Sequence, residues 1–277
     1  MYLNHLRQDE IFVRSEIKPL REFTGIESRR GLENAIVSNG KIVNVVSNRY
    51  GHIPNELFFG KAEKMMSDSG LEYLKRSINR ADRSFTVDYI IQDKNQFSLK
   101  NKKDLILPLL RFTNSYDGSE KTSGHFGFYR ETCSNGLHVS YSEIEFSIRH
   151  TKKSAVMIMP RLNSLFEKFL DNEYYEVIGK FDAMIDVKIP DTEKFVQEIL
   201  ERTKLFKYTS GKNRKLTNNA YKVLEIIDSE PYPEYSSQNL WLGYNAFNWV
   251  LHNKLKKSFS QQERLDRLLF KEVYAMV

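Results

Sequence analysis

Between Leu105 and Lys153, runs of apolar and β-branched residues alternate with turn-forming dipeptides, which constrains the fold more than any other stretch. Asp117-Gly118 and Asn135-Gly136 supply the turn signals, because glycine adopts the positive φ that tight hairpin turns require. The runs around these turns predict three strands, namely Leu105–Phe112, His125–Thr132 and His138–Ile148, the last of them bent or broken. This region therefore predicts an antiparallel β-meander.

The residues before the meander predict further strands and one packed helix. Asn39-Gly40 marks a hairpin turn, and the β-branched run after it predicts a strand at Ile42–Ser47. Pro54 opens a helix that extends to about Met66. A second helical segment is expected at Leu71–Asn79, and alternating residues predict strands at Ile11–Ile17 and Phe85–Gln92.

After His150 the apolar spacing becomes helical. Helices are predicted at 155–171, Thr192–Leu205, Leu216–Asp228, Asn239–His252 and Gln261–Tyr274, with one strand at Phe181–Ile189. Asp191 is a suitable N-cap for the second of these helices. The chain is thus predicted to be α+β, with an N-terminal antiparallel β-meander and packed helix followed by a mainly helical C-terminal half. The expected domains are 1–155 and 156–277, or one continuous domain.

The composition excludes several classes of protein. The chain has 277 residues, of which 40% are hydrophobic and 28% charged, as in ordinary folded domains. Cys133 is the single cysteine, which excludes an internal disulfide and any multi-cysteine metal site. The first residues lack a signal-peptide pattern, and no apolar run has the length of a membrane span. We therefore expect a cytoplasmic protein with no membrane partner.

The sequence carries no recognised catalytic motif. It lacks a phosphate-binding loop, a dinucleotide fingerprint, a zinc-protease helix and a serine elbow. His125, His138 and His150 lie at predicted strand ends and could converge on a divalent metal, but no two have a recognised ligand spacing. Cys133 could act as a thiol nucleophile, although its place where a strand enters a turn is more typical of a small buried residue. We predict no catalytic residue, no metal site and no required cofactor.

Several basic residues adjoin aromatic rings or lie in acid-free segments, which indicates nucleic-acid binding. Arginines from separate strands on one sheet face would bind phosphates, while neighbouring rings would stack on bases. Residues 202–215 contain six basic and no acidic residues. The predicted DNA-binding residues are Arg49, Tyr50, Arg111, Lys121, Tyr129, Arg130, Arg149, Lys152, Lys153, Lys207, Lys212, Arg214 and Lys215. The alternative is that the arginines pair with carboxylates inside the sheet and that 202–215 is a solvated helix end and loop.

Four short segments are distinctive: V-V-S-N-R-Y-G-H-I-P-N-E-L-F-F (45–59), F-T-N-S-Y-D-G-S (112–119), C-S-N-G-L (133–137) and R-H-T (149–151). Together they resemble a phage- and plasmid-borne family that is catalogued as a domain of unknown function, the nine-three-two group. The resemblance extends over roughly residues 40–255 and implies a context of mobile-element DNA metabolism without a list of catalytic residues. The layout is also loosely similar to the core of phage single-strand annealing proteins of the RecT, Red-beta and Erf kinds, which assemble rings or filaments.

These observations lead to one main functional prediction and two alternatives. We predict a non-enzymatic phage or plasmid protein that binds single-stranded DNA in annealing, recombination or replication, in the cytoplasm of the host cell. It would form a homo-oligomeric ring or filament. The first alternative is an interaction protein that acts against a host defence factor through the acidic segment 162–201. The second is a metal-dependent nuclease built on the three histidines.

Overall fold

A computed structural model describes residues 11–26, 31–92, 97–99, 104–130, 135–137, 145–171, 175–229 and 238–277. The chain divides into two compact units, each assembled from three segments. Unit 1 contains Met1–Asp93, Leu109–Phe126 and Ser142–Asn172, and unit 2 contains Lys94–Pro108, Gly127–Tyr141 and Glu173–Val277. Each unit is therefore discontinuous in sequence.

The secondary structure confirms the α+β prediction. The strands are β1 (Ser15–Pro19), β2 (Asn34–Ser38), β3 (Lys41–Val46), β4 (Tyr73–Arg80), β5 (Ser84–Ile91), β6 (Phe97–Ser98), β7 (Leu105–Ser115), β8 (Thr122–Arg130), β9 (Asn135–Leu137), β10 (Glu145–Ile148), β11 (Thr209–Ser210) and β12 (Lys215–Leu216). The helices are α1 (Arg21–Thr24), α2 (Asn55–Asp68), α3 (Lys152–Ala155), α4 (Ile158–Leu170), α5 (Tyr175–Asp186), α6 (Thr192–Thr203), α7 (Asn218–Asp228), α8 (Leu240–Asn253) and α9 (Phe259–Tyr274). Within the described residues, no helix combines the length and the apolar character needed to cross a membrane.

Unit 1 contains two antiparallel sheets. The smaller has the order β1-β2-β3, and the larger has the order β10-β8-β7-β5-β4. Asn39 and Gly40 join β2 to β3 with φ values of 48° and 72°, as a two-residue hairpin with two positive φ angles requires. Every residue of β5 is buried, so the large sheet forms the centre of this unit.

Aromatic rings from α2 and α4 pack against the large sheet of unit 1. Phe58 of α2 contacts Phe112 of β7 edge-on, with ring centroids 5.7 Å apart, and Phe166 of α4 stacks on Phe112 at 6.2 Å. Gly124 of β8 makes room for these rings, because a Cβ there would lie 2.6 Å from Phe146 and 2.7 Å from Phe112. Buried aromatic pairs of this kind supply much of the hydrophobic stabilisation of a core.

Unit 2 is organised around α8, whose residues are nearly all buried. Asn239 begins the helix by accepting a hydrogen bond from the Leu242 amide at 3.0 Å. Helices α5, α7 and α9 pack on α8, with Phe181 and Trp241 in ring contact at 4.7 Å. In the same unit, β6 pairs with the start of β7 and β9 with the end of β8.

Three local predictions are wrong in type, for one helix, one strand and one turn. Residues 71–79, predicted to be helical, belong mainly to β4, which pairs with β5. The spacing of Leu74 and Ile78 fits one face of a strand as well as one face of a helix. Phe181–Ile189, predicted as a strand, lies largely in α5, where Val177, Phe181 and Met184 form a buried stripe with helical spacing. Asn135-Gly136, predicted as a turn, belongs to β9. Cys133 and His138 lie outside the described residues.

Candidate nucleic-acid interface

In unit 1, the segment around Tyr50 and the segment around His150 meet along their backbones. Tyr50 forms an antiparallel bridge with Thr151, and the Gly51 amide donates to the His150 carbonyl at 3.2 Å. A Cβ on Gly51 would lie 2.4 Å from the Thr151 carbonyl oxygen. Glycine is therefore required at position 51 for the two segments to approach this closely.

Buried asparagines fix the segment before α2 to the large sheet. The Asn114 side-chain amide donates to the Ile53 carbonyl at 2.9 Å and to Asn55 Oδ1 at 2.8 Å. In turn, the Thr122 hydroxyl donates to Asn114 Oδ1 at 2.9 Å. The Asn55 backbone amide donates to the Tyr116 hydroxyl at 3.1 Å. Because these buried polar groups satisfy one another, the network fixes segments 45–59 and 112–119 relative to each other.

Tyr50 and His150 form a stacked ring pair, with centroids 5.3 Å apart and planes inclined by 2°. Both side chains are half-buried. His150 Nε2 lies 3.2 Å from the Glu120 carbonyl and 3.5 Å from the Thr122 hydroxyl. Burial lowers the pKa of His150, while burial and the nearby Asp117 carboxylate raise the pKa of Tyr50. Both rings are consequently neutral at pH 7 and present a flat, uncharged surface.

His52 is a second histidine near the ring pair, two residues after Tyr50. Its Nε2 is 3.0 Å from the Ser15 hydroxyl, and its ring is tilted against Tyr116 with centroids 5.3 Å apart. Burial lowers the pKa of His52 to about 4, a shift that the backbone hydrogen bond at Ser15 partly offsets. This second histidine is therefore also uncharged at neutral pH.

Five of the predicted phosphate contacts adjoin the ring pair, and we call them the basic rim. Arg49 and Arg149 directly precede the two rings, and the Lys152 amide donates to the Arg49 carbonyl at 3.1 Å. Lys153 follows in α3, and Lys121 precedes the threonine that contacts His150. All five side chains are exposed. In the part of the chain that the structure describes, no carboxylate lies within the 4.0 Å ion-pairing distance of any of them.

Arg111 is instead buried and paired, which corrects the expectation that it is exposed to a phosphate. It lies directly across from Asp88 in the register of β5 and β7. Its Nε and terminal nitrogen donate to the two Asp88 oxygens at 2.5 and 2.7 Å. Both side chains are buried, so this arginine neutralises an acid inside the sheet.

Arg130 needs the same correction. It is fully buried and donates to both oxygens of Asp104, which is also fully buried, at 2.7 and 2.8 Å. The Trp241 indole donates to the same carboxylate at 2.8 Å. Asp104 therefore has donors at both oxygens, and Arg130 is part of the core of unit 2.

A family model described as "Domain of unknown function (DUF932)" matches residues 42–269. The chain belongs to this family. The matched range includes the ring pair and the basic rim, together with the buried asparagine network. No curated protein and no solved structure matches the chain significantly.

The remaining predicted contacts of this DUF932 protein lie in unit 2. Tyr129 is half-buried on β8. A second group of exposed cations lies in the β11–β12 hairpin, which pairs Thr209 with Leu216, and just before it. That group consists of Lys207, Lys212, Arg214 and Lys215.

The residues proposed for metal chemistry are engaged in other contacts where they are described. His125 Nδ1 is 3.5 Å from a Glu145 oxygen, and His150 belongs to the ring pair. Over the described ranges, no group of three or more His, Cys, Asp or Glu side chains has an arrangement that would hold a metal ion.

Four residues that organise this site were not predicted to belong to it. His52, Asn55, Asn114 and Thr122 fix the ring pair and the motif segments, yet none was named as a site residue. The signal was present for three of them, because His52, Asn55 and Asn114 fall inside the quoted segments 45–59 and 112–119.

Proposed function

We propose that this DUF932 protein binds single-stranded DNA, as a component of phage or plasmid recombination or replication, through the ring pair and the basic rim of unit 1. The observation that carries the proposal is that five exposed cations, each without an ion-pair partner among the described residues, adjoin a neutral stacked ring pair. The family motifs hold this surface in place through buried hydrogen bonds.

The chemistry of the surface suits a flexible polyanion. Lysine and arginine neutralise phosphates and release condensed counterions, which gives affinity without sequence preference. Aromatic rings stack on bases that are not already stacked in a duplex, at about 1–3 kcal/mol per base. A half-buried ring beside exposed cations therefore favours single strands over duplex DNA.

The first test is the salt dependence of binding to a dye-labelled thymidine oligonucleotide, measured by fluorescence anisotropy. If the basic rim neutralises about four phosphates, the slope of log K against log salt is about −3. Raising NaCl from about 50 to about 200 mM should then weaken binding roughly 50-fold. Binding that is unchanged by salt, or no binding at the lower salt, would contradict the proposal.

The second test separates the basic rim from net charge. The Arg49→Ala/Arg149→Ala double variant should bind the oligonucleotide at least about tenfold more weakly, because two phosphate contacts are lost. The matched control is Arg14→Ala/Lys41→Ala, which removes two exposed cations of unit 1 outside the site. This control should lose less than about twofold. Equal losses in the two variants would show that only the overall charge matters.

The role of the ring is tested at Tyr50. Tyr50→Ala should weaken binding by a factor between about 5 and 150, which corresponds to one lost base stack. Tyr50→Phe keeps the ring and should bind as the parent chain does. Failure of the phenylalanine variant to retain binding would show that the hydroxyl, and not stacking, is required.

Assembly into a homo-oligomeric ring or filament stays part of the proposal. It predicts that the native mass, measured by light scattering, rises to a large multiple of one chain when a long thymidine oligonucleotide is added. A mass equal to one chain plus one oligonucleotide would support binding and contradict assembly.

A further inference from the structure

A cavity of about 490 Å³ lies in unit 2, at the end of α6 and the beginning of α9. Its walls come from Thr203–Leu205 on one side and from the first turns of α9 on the other. This volume is within the range that binds small organic molecules in proteins. None of the residues that line it belongs to the proposed DNA-binding surface of unit 1.

The cavity has a strongly positive lining. Lys204, Lys257 and Arg264 contribute to its walls, all three are exposed, and no carboxylate lines it. Among the residues with described positions, none of the three cations has an acidic side chain within ion-pairing distance. Three unneutralised cations around one concavity concentrate a positive potential there, which attracts anions.

The backbone positions these charges. Lys204 ends α6 in the left-handed conformation, with φ 53°. Ser258 and Gln261 form a capping box that fixes the first turn of the 16-residue α9. The N-terminal end of that helix adds the positive end of its dipole to the potential of Lys257 and Arg264.

The rest of the lining is apolar. Leu205 is buried, and Leu265 and Leu268 are half-buried. A ligand matched to this cavity therefore needs an anionic part for the cations and a flat or apolar part for the leucines. Free inorganic phosphate satisfies only the first requirement.

From this combination, we infer that the cavity binds a nucleoside phosphate. The phosphates would lie between Lys204, Lys257 and Arg264, and the base would lie on Leu265 and Leu268. The inference does not depend on DNA binding by unit 1, because it rests on different residues.

The test is isothermal titration calorimetry on the full chain in magnesium-free buffer. The probes are deoxyadenosine triphosphate, deoxyadenosine, inorganic triphosphate and a thymidine oligonucleotide. We expect deoxyadenosine triphosphate to bind at least about tenfold more tightly than either of its parts. The Lys257→Ala and Arg264→Ala variants should each weaken its binding by about tenfold. Lys194→Ala, which removes an exposed cation of α6 outside the cavity, should leave it unchanged.

Three outcomes would overturn the inference. The first is no heat of binding with deoxyadenosine triphosphate at millimolar concentration. The second is a loss of deoxyadenosine triphosphate affinity in Lys194→Ala as large as that in the cavity variants. The third is loss of oligonucleotide binding alone in the cavity variants, which would show that these cations contact a nucleic-acid strand. Because Lys257 and Arg264 are exposed, the variants should retain the parent thermal unfolding temperature, which the same samples can establish.

Discussion

Arginines buried inside the fold and exposed arginines just beyond a strand have opposite environments, although the sequence presents both kinds beside a ring. Arg111, inside β7, and Arg130, the last residue of β8, form buried pairs with Asp88 and Asp104. Arg49 and Arg149 lie where a strand has just ended, and both are exposed.

The difference shows that a neighbouring ring does not decide what an arginine does. What decides is whether the side chain is buried and whether a carboxylate lies within hydrogen-bonding distance of it. A charge within a strand such as β7, which is buried almost throughout, requires a partner inside the fold, because an unpaired buried charge is very costly. An exposed charge such as that of Arg49 or Arg149 keeps its hydration and remains available to a ligand.

The largest expected effect is the difference in free energy of unfolding between substitution of a buried arginine and substitution of an exposed one. Arg130→Ala leaves Asp104 as an uncompensated buried carboxylate and should lower the free energy of unfolding by about 3–5 kcal/mol. Arg149→Ala removes an exposed charge and should change it by less than about 0.5 kcal/mol. Urea unfolding at pH 7 measures both. A cost below about 1 kcal/mol for Arg130→Ala would show that the pair is hydrated and would remove the contrast.

The pH dependence of stability extends the comparison of buried with exposed groups, because burial keeps His52 neutral. The pKa of His52 is lowered from 6.5 to about 4 in the folded chain. Below pH 6.5 the unfolded chain therefore takes up a proton that the folded chain does not. Stability from this group is fully present above pH 6.5, decreases as the pH falls, and levels off near pH 4, for a total of roughly 3 kcal/mol.

The measurement for this prediction is urea unfolding of the parent chain and of His52→Gln at several pH values between 7 and 4. The variant should lose less stability over that interval than the parent does. If the free energy of unfolding fell equally with pH in the two proteins, His52 would not be the group responsible.

A smaller effect is expected from the close backbone contact beside the ring pair. Gly51→Ala places a methyl group against the Thr151 carbonyl and should lower the free energy of unfolding by about 1–3 kcal/mol. It should also weaken oligonucleotide binding, because the two segments that carry the ring pair must separate. Gly179→Ala in α5 is the matched control, since a Cβ there meets open space. It should raise stability by about 0.5–1 kcal/mol. Equal thermal shifts in the two variants would contradict the requirement for glycine at position 51.

The sequence predicted correctly those helix caps and turns that are determined by residues close together in the chain. Asp191 does cap α6 by accepting from the Lys194 amide, and Asn39-Gly40 does form a hairpin turn. Both are decided within a few positions of the chain. Residues 71–79 were misread because Leu74 and Ile78 satisfy two periods, and only pairing with β5 selects the strand.

The candidate site was less predictable, because its decisive contacts join distant segments. The sequence contains Asp88 and Arg111, but nothing in it states that β5 and β7 are neighbours in that register. Likewise, Arg49-Tyr50 and Arg111-Phe112 are the same kind of dipeptide in the sequence, although Arg49 is exposed and Arg111 is buried. The resemblance to the family did not predict these contacts either, although three of the quoted segments meet at the ring pair, through Tyr50, Tyr116 and His150.

The buried hydroxyl of Tyr116 donates to the Val13 carbonyl, 103 residues earlier in the chain. Contacts of such long range form only after much of the chain is available, and they slow folding. The ring pair also joins distant residues, Tyr50 and His150. During translation, therefore, it cannot form until His150 has left the ribosome. Prematurely terminated products would carry exposed arginines without the ordered rings beside them.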